Sequence, residues 1–169
     1  MIQRFVMLVG ISGSGKTTYA KHFVDTKAQE GEEIVILSSD AIREELYGDA
    51  SIQRDPSKVF ELMNQRTFNE IKAGRSVIYD ATNLISARRV EMVEQIRKIA
   101  PDCLCVCIYC EISVELCISR QKERERKVPA HVIRRQDHQF QEISYTEGWD
   151  LICLAYLNDA NPIKRSMLA

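Results

Sequence analysis

One stretch restricts what this chain can fold into more than any other: Phe5 to Thr18, FVMLVGISGSGKTT. An apolar run, Phe5 to Val9, meets a glycine and continues as Gly10-Ile11-Ser12-Gly13-Ser14-Gly15-Lys16-Thr17. The spacing fits G-x-x-x-x-G-K-[ST], the phosphate-binding loop, with no mismatch. The apolar run reads as a buried strand, and YAKHFV after the loop reads as the start of a helix. Strand, glycine loop and helix together are the context this motif requires.

The residue types follow from the chemistry of an anion. Phosphate oxygens are met by backbone N–H groups, so side chains must be absent where contact is made. Gly10, Gly13 and Gly15 allow the turn and the close approach. A helix beginning near Lys16 aims its N-terminal N–H groups and the positive end of its dipole at the anion. Lys16 reaches the β- and γ-phosphates, and the Thr17 hydroxyl is a Mg²⁺ ligand. The candidate nucleotide-binding set is Gly10, Ser12, Gly13, Ser14, Gly15, Lys16, Thr17 and Thr18, with ATP or GTP as the ligand.

With 169 residues, the chain has the size of one domain and can bury a substantial core. Its 45% hydrophobic and 28% charged residues are those of a globular protein. A net charge of −1 gives no global attraction to nucleic acid, so any such contact must come from a local basic patch. MIQRF leads straight into a strand without the layout of a signal peptide, and no apolar run is long enough to span a membrane. Six cysteines without a secretion signal fit a reducing, cytoplasmic setting and free thiols.

The rest of the chain alternates strands and helices. Expected strands are Ile34 to Asp40, Ser76 to Asp80, Cys103 to Tyr109 and Trp149 to Leu157. Expected helices run from Thr17 to about Ala28, Ala41 to Gly48, Pro56 to about Ala73, Ser86 to about Ala100, Val114 to about Arg120, and Pro129 to about Thr146. Asp40 is a plausible N-cap for the second helix, and Ser86 for the fourth. Short apolar strands alternating with helices predict a three-layer α/β/α fold around a parallel sheet of about five strands. One domain is expected over residues 1–160, with a small lid at about 120–128 and a loose tail at 161–169.

Sites in such sheets form at the carboxyl ends of the strands. The glycine loop, Asp40, and the turn Asp80-Ala81-Thr82-Asn83 all fall there. Asp40 and Arg43 lie one helical turn apart and face the same side. The set GISGSGKTT, SSDAIR, YDATN and an arginine-rich run before Val128-Pro129 resembles the polynucleotide 5′-kinase branch of P-loop phosphotransferases, an AAA-like ATP-binding domain. That branch is the kinase half of phage and bacterial RNA end-healing enzymes, and the resemblance covers nearly the whole chain.

The resemblance implies a role for each matching position. Lys16 and Thr17 hold ATP phosphates and Mg²⁺. Asp40 is the general base for the attacking hydroxyl, and Arg43 grips the acceptor-side phosphate. Arg120 is the lid arginine on the transferring phosphate, with Arg124 a second lid candidate at the nucleotide. Asp80, Thr82 and Asn83 form the acceptor-proximal turn. Those enzymes are usually fused to a phosphatase or ligase domain, for which this chain has no room. Stand-alone relatives include small-molecule kinases and zeta-toxin-like proteins, so two acceptors stay open: a 5′-OH RNA or DNA end, or a small hydroxylated molecule. A third reading is a nucleotide-binding switch that hydrolyses ATP slowly and acts through a partner.

Structural readings stand beside these. Asp40 could serve only as a helix cap, and Asp80 as a ligand of Mg²⁺-bound water, an acceptor-site residue or a turn residue. Gln121 to Lys127, QKERERK, is either a lid or a solvated charged surface. Cys103, Cys105 and Cys107 alternate along a strand, and Cys107 with Cys110 makes C-x-x-C. These are core residues or, less in keeping with a central strand, metal ligands. His22, His131 and His138 lack ligand spacing, and Trp149 is expected in the core.

The loop generates the first prediction. Calorimetry should detect Mg²⁺-dependent binding of ATP or GTP, and Lys16→Ala should abolish phosphoryl transfer while leaving the fold intact. Absence of nucleotide binding by the wild-type protein with Mg²⁺ present contradicts the motif reading.

Overall fold

The computed structural model describes residues 2–158 and 161–167. Its elements in order are β1 (Arg4–Val9), α1 (Lys16–Gln29), β2 (Ile34–Ser38), α2 (Ser39–Tyr47), α3 (Pro56–Lys72), β3 (Ser76–Asp80), α4 (Ser86–Ile99), β4 (Leu104–Cys110), α5 (Val114–Arg120), α6 (Ala130–Gln139), β5 (Leu151–Asn158) and β6 (Asn161–Met167). The sheet order is β2-β3-β1-β4-β5-β6. The first five strands are parallel, and β6 runs antiparallel along β5. The expected α/β/α architecture with five parallel strands is therefore present. Residues 161–167, read from the sequence as a loose tail, instead pair with β5. Among the described residues no helix is long and apolar enough to cross a membrane.

Alternation along the strands sorts side chains into two cores. Phe5, Met7 and Val9 of β1 face α2, α3 and α4, joined there by Val59, Met63, Met92, Val93 and Trp149. Val6 and Leu8 face the other way, onto Tyr19, Ala20 and Phe23 of α1. β1 is almost wholly buried because β3 and β4 flank it and helices cover both its faces. That places the loop after β1 at the middle of the sheet edge. A third cluster, Ile11, Leu84, Cys117 and Ile133, seats α5 and α6 beside the glycine loop.

Some boundaries differ from the sequence reading, for local reasons. β2 ends at Ser38, and α2 begins at Ser39, so Asp40 sits inside the first turn and Ser38 takes the cap position. Ser86 likewise lies within α4 after Ile85, and its hydroxyl donates to Glu147 Oε1 at 2.7 Å instead of capping. Helix α6 stops at Gln139, well short of Thr146. There the ring of Phe140 stacks on Tyr109, 4.9 Å between centroids, and Gln141 N–H donates to the Leu84 carbonyl. One turn of 3-10 helix, Tyr145–Glu147, then leads to Gly148, and Trp149 precedes β5 rather than belonging to it.

The segment after α6 is held by a buried ion pair that the sequence reading did not foresee. Arg89, on α4, and Glu147 are 0% and 4% exposed at their side chains. Arg89 donates Nε to Glu147 Oε2 at 2.9 Å and Nη2 to Oε1 at 2.6 Å. Its remaining donors go to the carbonyls of Asn83, Gln141 and Glu142. Glu147 also accepts from Ser86 and from Trp149 Nε1. Burial alone would raise the Glu147 pKa, but these donors hold it below the usual carboxylate value.

Removing one partner of such a pair strands the other charge in the core. Glu147→Ala should lower unfolding stability by about 3–5 kcal/mol, read as a fall in the denaturant midpoint. Ser86→Ala, which deletes one neutral donor, should cost about 1 kcal/mol. Equal losses for the two variants would contradict the assignment of the pair as the dominant tie.

Candidate active site

The glycine loop is shaped by its neighbours as much as by its own sequence. Gly13 has φ of 88°, and a Cβ there would stand 2.9 Å from the Cys117 carbonyl oxygen and 2.7 Å from Gln121 Nε2. The loop therefore packs directly on α5 and the residue that follows it. Gly10 N–H donates to the Thr82 carbonyl at 3.0 Å, fastening the loop to the turn after β3. Asn83, at φ 52°, takes the left-handed conformation that Asn tolerates, and its Nδ2 donates to the Leu8 and Ala81 carbonyls. The amide of Asn83 is thus committed to holding β1 and the turn together.

Lys16 and Asp80 share the bottom of the site. Lys16 Nζ donates to the Ile11 carbonyl at 2.9 Å and lies 3.4 Å from Ser14 Oγ. Burial lowers its pKa, and the nearby Asp80 carboxylate opposes that shift. Asp80 is 4% exposed. Burial raises its pKa against the pull of Lys16 and of the Thr17 hydroxyl, which donates to Asp80 Oδ2 at 2.9 Å. Each charge is costly in this pocket by itself, and each is stabilised by the other. A polyanion and a divalent cation entering together would meet both.

Asp40 carries no helix cap; its carboxylate is turned into the cleft between two arginines. Arg43 Nη1 lies 2.9 Å from Oδ1, one turn along α2, and Arg126 Nη1 lies 2.9 Å from Oδ2, brought by the charged run after α5. Arg43 is buried, whereas the Asp40 side chain is 57% exposed and open to a second reactant. The charged run is ordered around Gln121, whose Nε2 donates to the Cys117 carbonyl and whose Oε1 accepts from Val128 N–H. Arg124 and Arg126 line the cleft, and Arg120 instead lies against the loop, Nη1 donating to the Gly13 carbonyl at 3.3 Å.

The cleft that gathers these groups has a volume of about 1850 Å³. Ser12, Gly13, Gly15, Lys16, Thr17, Thr18, Asp40, Arg43, Asp80, Thr82, Asn83 and Arg124 all line it. The sequence names Arg126 with Arg120 and Arg124 as an arginine of the charged run, but not its pairing with Asp40. Another contributor escaped the sequence reading altogether. Gln136, on α6, accepts from Ser12 N–H at 2.8 Å across 124 positions of sequence, and no local pattern signals it.

The donor set fits Mg²⁺. The Thr17 hydroxyl and Asp80 carboxylate are hard oxygen ligands, and Mg²⁺ is usually held by one or two protein oxygens with phosphates and waters completing its shell. The cysteines offer nothing comparable. Cys103, Cys105 and Cys107 are core residues at 0–1% exposure, and burial raises the Cys103 thiol to about 11 and the Cys105 thiol to about 12. Thiols that stay protonated in an apolar core are poor metal ligands.

Comparison with known proteins follows the same outline. The AAA domain family AAA_33 matches residues 5–143. An L-seryl-tRNA(Sec) kinase of Methanococcus maripaludis is 27% identical over 150 residues, which are 86% of this chain and 56% of that protein. The chain thus spans little more than half the length of this relative. A structure of the Pnkp1/Rnl/Hen1 RNA repair complex superposes with a TM-score of 0.65 at 20% identity, covering 99% of this chain and 49% of that one. Kti12 of Chaetomium thermophilum, solved with ADP-AlF3, gives a TM-score of 0.66 at 15% identity over 92% of each chain.

The thiol environment generates a prediction of its own. At pH 8 a disulfide reagent should leave Cys103, Cys105 and Cys107 unlabelled until denaturant is added, and metal analysis should find no stoichiometric zinc. About one zinc per chain would overturn the core reading.

Proposed function

We propose that this chain, which belongs to the AAA domain family AAA_33, is a P-loop kinase that moves the γ-phosphate of ATP to the 5′-hydroxyl of a polynucleotide. The observation that carries this reading is the Asp40 carboxylate, held between Arg43 and Arg126 in the cleft that also contains the phosphate loop. A carboxylate aimed at an acceptor hydroxyl serves transfer, whereas a switch that only hydrolyses ATP has no need of it. Guanidinium groups on both sides suit an acceptor whose hydroxyl neighbours a phosphodiester. The cleft exceeds the 300–1,000 Å³ typical of a single small ligand, as expected for nucleotide and polymer end together. The names of the seryl-tRNA kinase and the RNA repair complex among its relatives support an acceptor that carries RNA.

In this mechanism Lys16 and the loop N–H groups bind the β- and γ-phosphates. Thr17 and Asp80 would hold Mg²⁺, which when bound would neutralise charge on the phosphates. Asp40 orients the acceptor hydroxyl in line with the γ-phosphate and takes its proton. Arg43 fixes the acceptor-side phosphate. Arg120 and Arg124 stabilise charge on the group in transfer, Arg120 from its position against Gly13. Thr82 and Asn83 shape the turn that borders the acceptor, Asn83 by holding it to β1.

Radiolabelled ATP offered with 5′-OH RNA, 5′-OH DNA and a panel of nucleosides, sugars and antibiotics tests the acceptor. Label entering only a small molecule overturns the polynucleotide reading. Asp40→Asn tests the base. The Asp40 side chain is more than half exposed and the Asn amide oxygen can still accept from Arg43, so melting temperature and ATP affinity should stay near wild type. Transfer should fall by roughly a hundredfold or more, the usual contribution of a positioned base. If transfer survives, Asp40 is not the base.

A further inference from the structure

The cleft extends beyond Asp40 into a groove between α3 and α4 that the mechanism leaves unused. Phe60, Asn64 and Phe68 recur every four residues along α3 and therefore share one face, and all three line the groove. Arg88 and Gln95 line it from α4, and Tyr79, at the end of β3, forms its floor. Tyr79 immediately precedes Asp80, so strand alternation sends its ring to the α3 side while Asp80 turns to Thr17. The groove thus begins one residue from the phosphate site.

One hydrogen bond gives this groove a chemical polarity. The Tyr79 hydroxyl and Asn64 Oδ1 are 2.7 Å apart. The phenol is the donor in this bond. With its Oδ1 engaged by the phenol, Asn64, which lines the groove, keeps its Nδ2 as a donor for a ligand there. Two half-buried phenylalanine rings flank it on the same helix face and supply apolar surface. Apolar rings beside an oriented N–H donor match a planar heterocycle that carries a carbonyl oxygen.

We infer that this groove receives the terminal nucleobase of the acceptor and that Asn64, held by Tyr79, favours bases with an exposed carbonyl. The inference rests on the polynucleotide reading above and adds a preference at the first base. Uracil, with a carbonyl where cytosine has an amino group, separates the two cases with almost no change of shape. Asn64→Asp keeps the size and the bond from Tyr79, but it turns an acceptor oxygen toward the base. Tyr79→Phe keeps the ring and frees the Asn64 amide to rotate.

Steady-state kinetics with two 5′-OH oligoribonucleotides that differ only in a first uridine or cytidine test this. The wild type should favour the uridine substrate in kcat/KM by about tenfold, the discrimination expected of one buried donor. Asn64→Asp should remove or reverse the preference through KM for the oligonucleotide, with KM for ATP unchanged. Tyr79→Phe should narrow it. Equal use of both oligonucleotides by the wild type, or a preference untouched in Asn64→Asp, overturns the groove assignment while leaving the kinase reading in place. Transfer to neither oligonucleotide overturns the polynucleotide reading and this inference with it.

Discussion

The buried guanidinium of Arg89 ties the segment after α6 to the turn that borders the site. Through Glu147 it anchors the segment that returns from α6 to β5, and through the Asn83 carbonyl it anchors the turn after β3. Asn83 in turn grips the end of β1, and Thr82 holds Gly10. A continuous line of hydrogen bonds therefore runs from a core ion pair to the phosphate loop. Such a pair offers modest net stability because both ions lose water, but breaking it is costly. Its contribution here is positional: it sets where the turn beside the loop can lie.

The electrostatics of the cleft follow from that geometry. Lys16 and Asp80 are buried and of opposite sign, so each tempers the desolvation of the other. Asp40 is exposed, and its two arginines come from different parts of the chain, Arg43 along α2 and Arg126 from the run after α5. The inner pair is suited to holding a nucleotide and its cation. The outer group is suited to a reactant that arrives from solvent. One sheet edge keeps these functions apart because β1 and β3 deliver the inner pair and β2, at the border of the sheet, the outer group.

The sequence by itself determined the phosphate loop, the α/β class, the parallel strands and the collection of Lys16, Asp40 and Asp80 at one sheet edge. These depend on local spacing: a glycine pattern, apolar runs of strand length, and polar residues where the runs stop. The tertiary structure alone decided the rest. It moved Asp40 from the cap into the first turn, gave Ser86 to Glu147, ended α6 at Phe140, and paired residues 161–167 with β5. It singled out Arg126 from a run of charges and brought Gln136 to Ser12. It also aimed Asn64 with Tyr79. Each of these is a contact between segments far apart in sequence or a choice among near-equivalent side chains. Local periodicity carries no information on either, because burial and partner geometry exist only once the sheet has assembled.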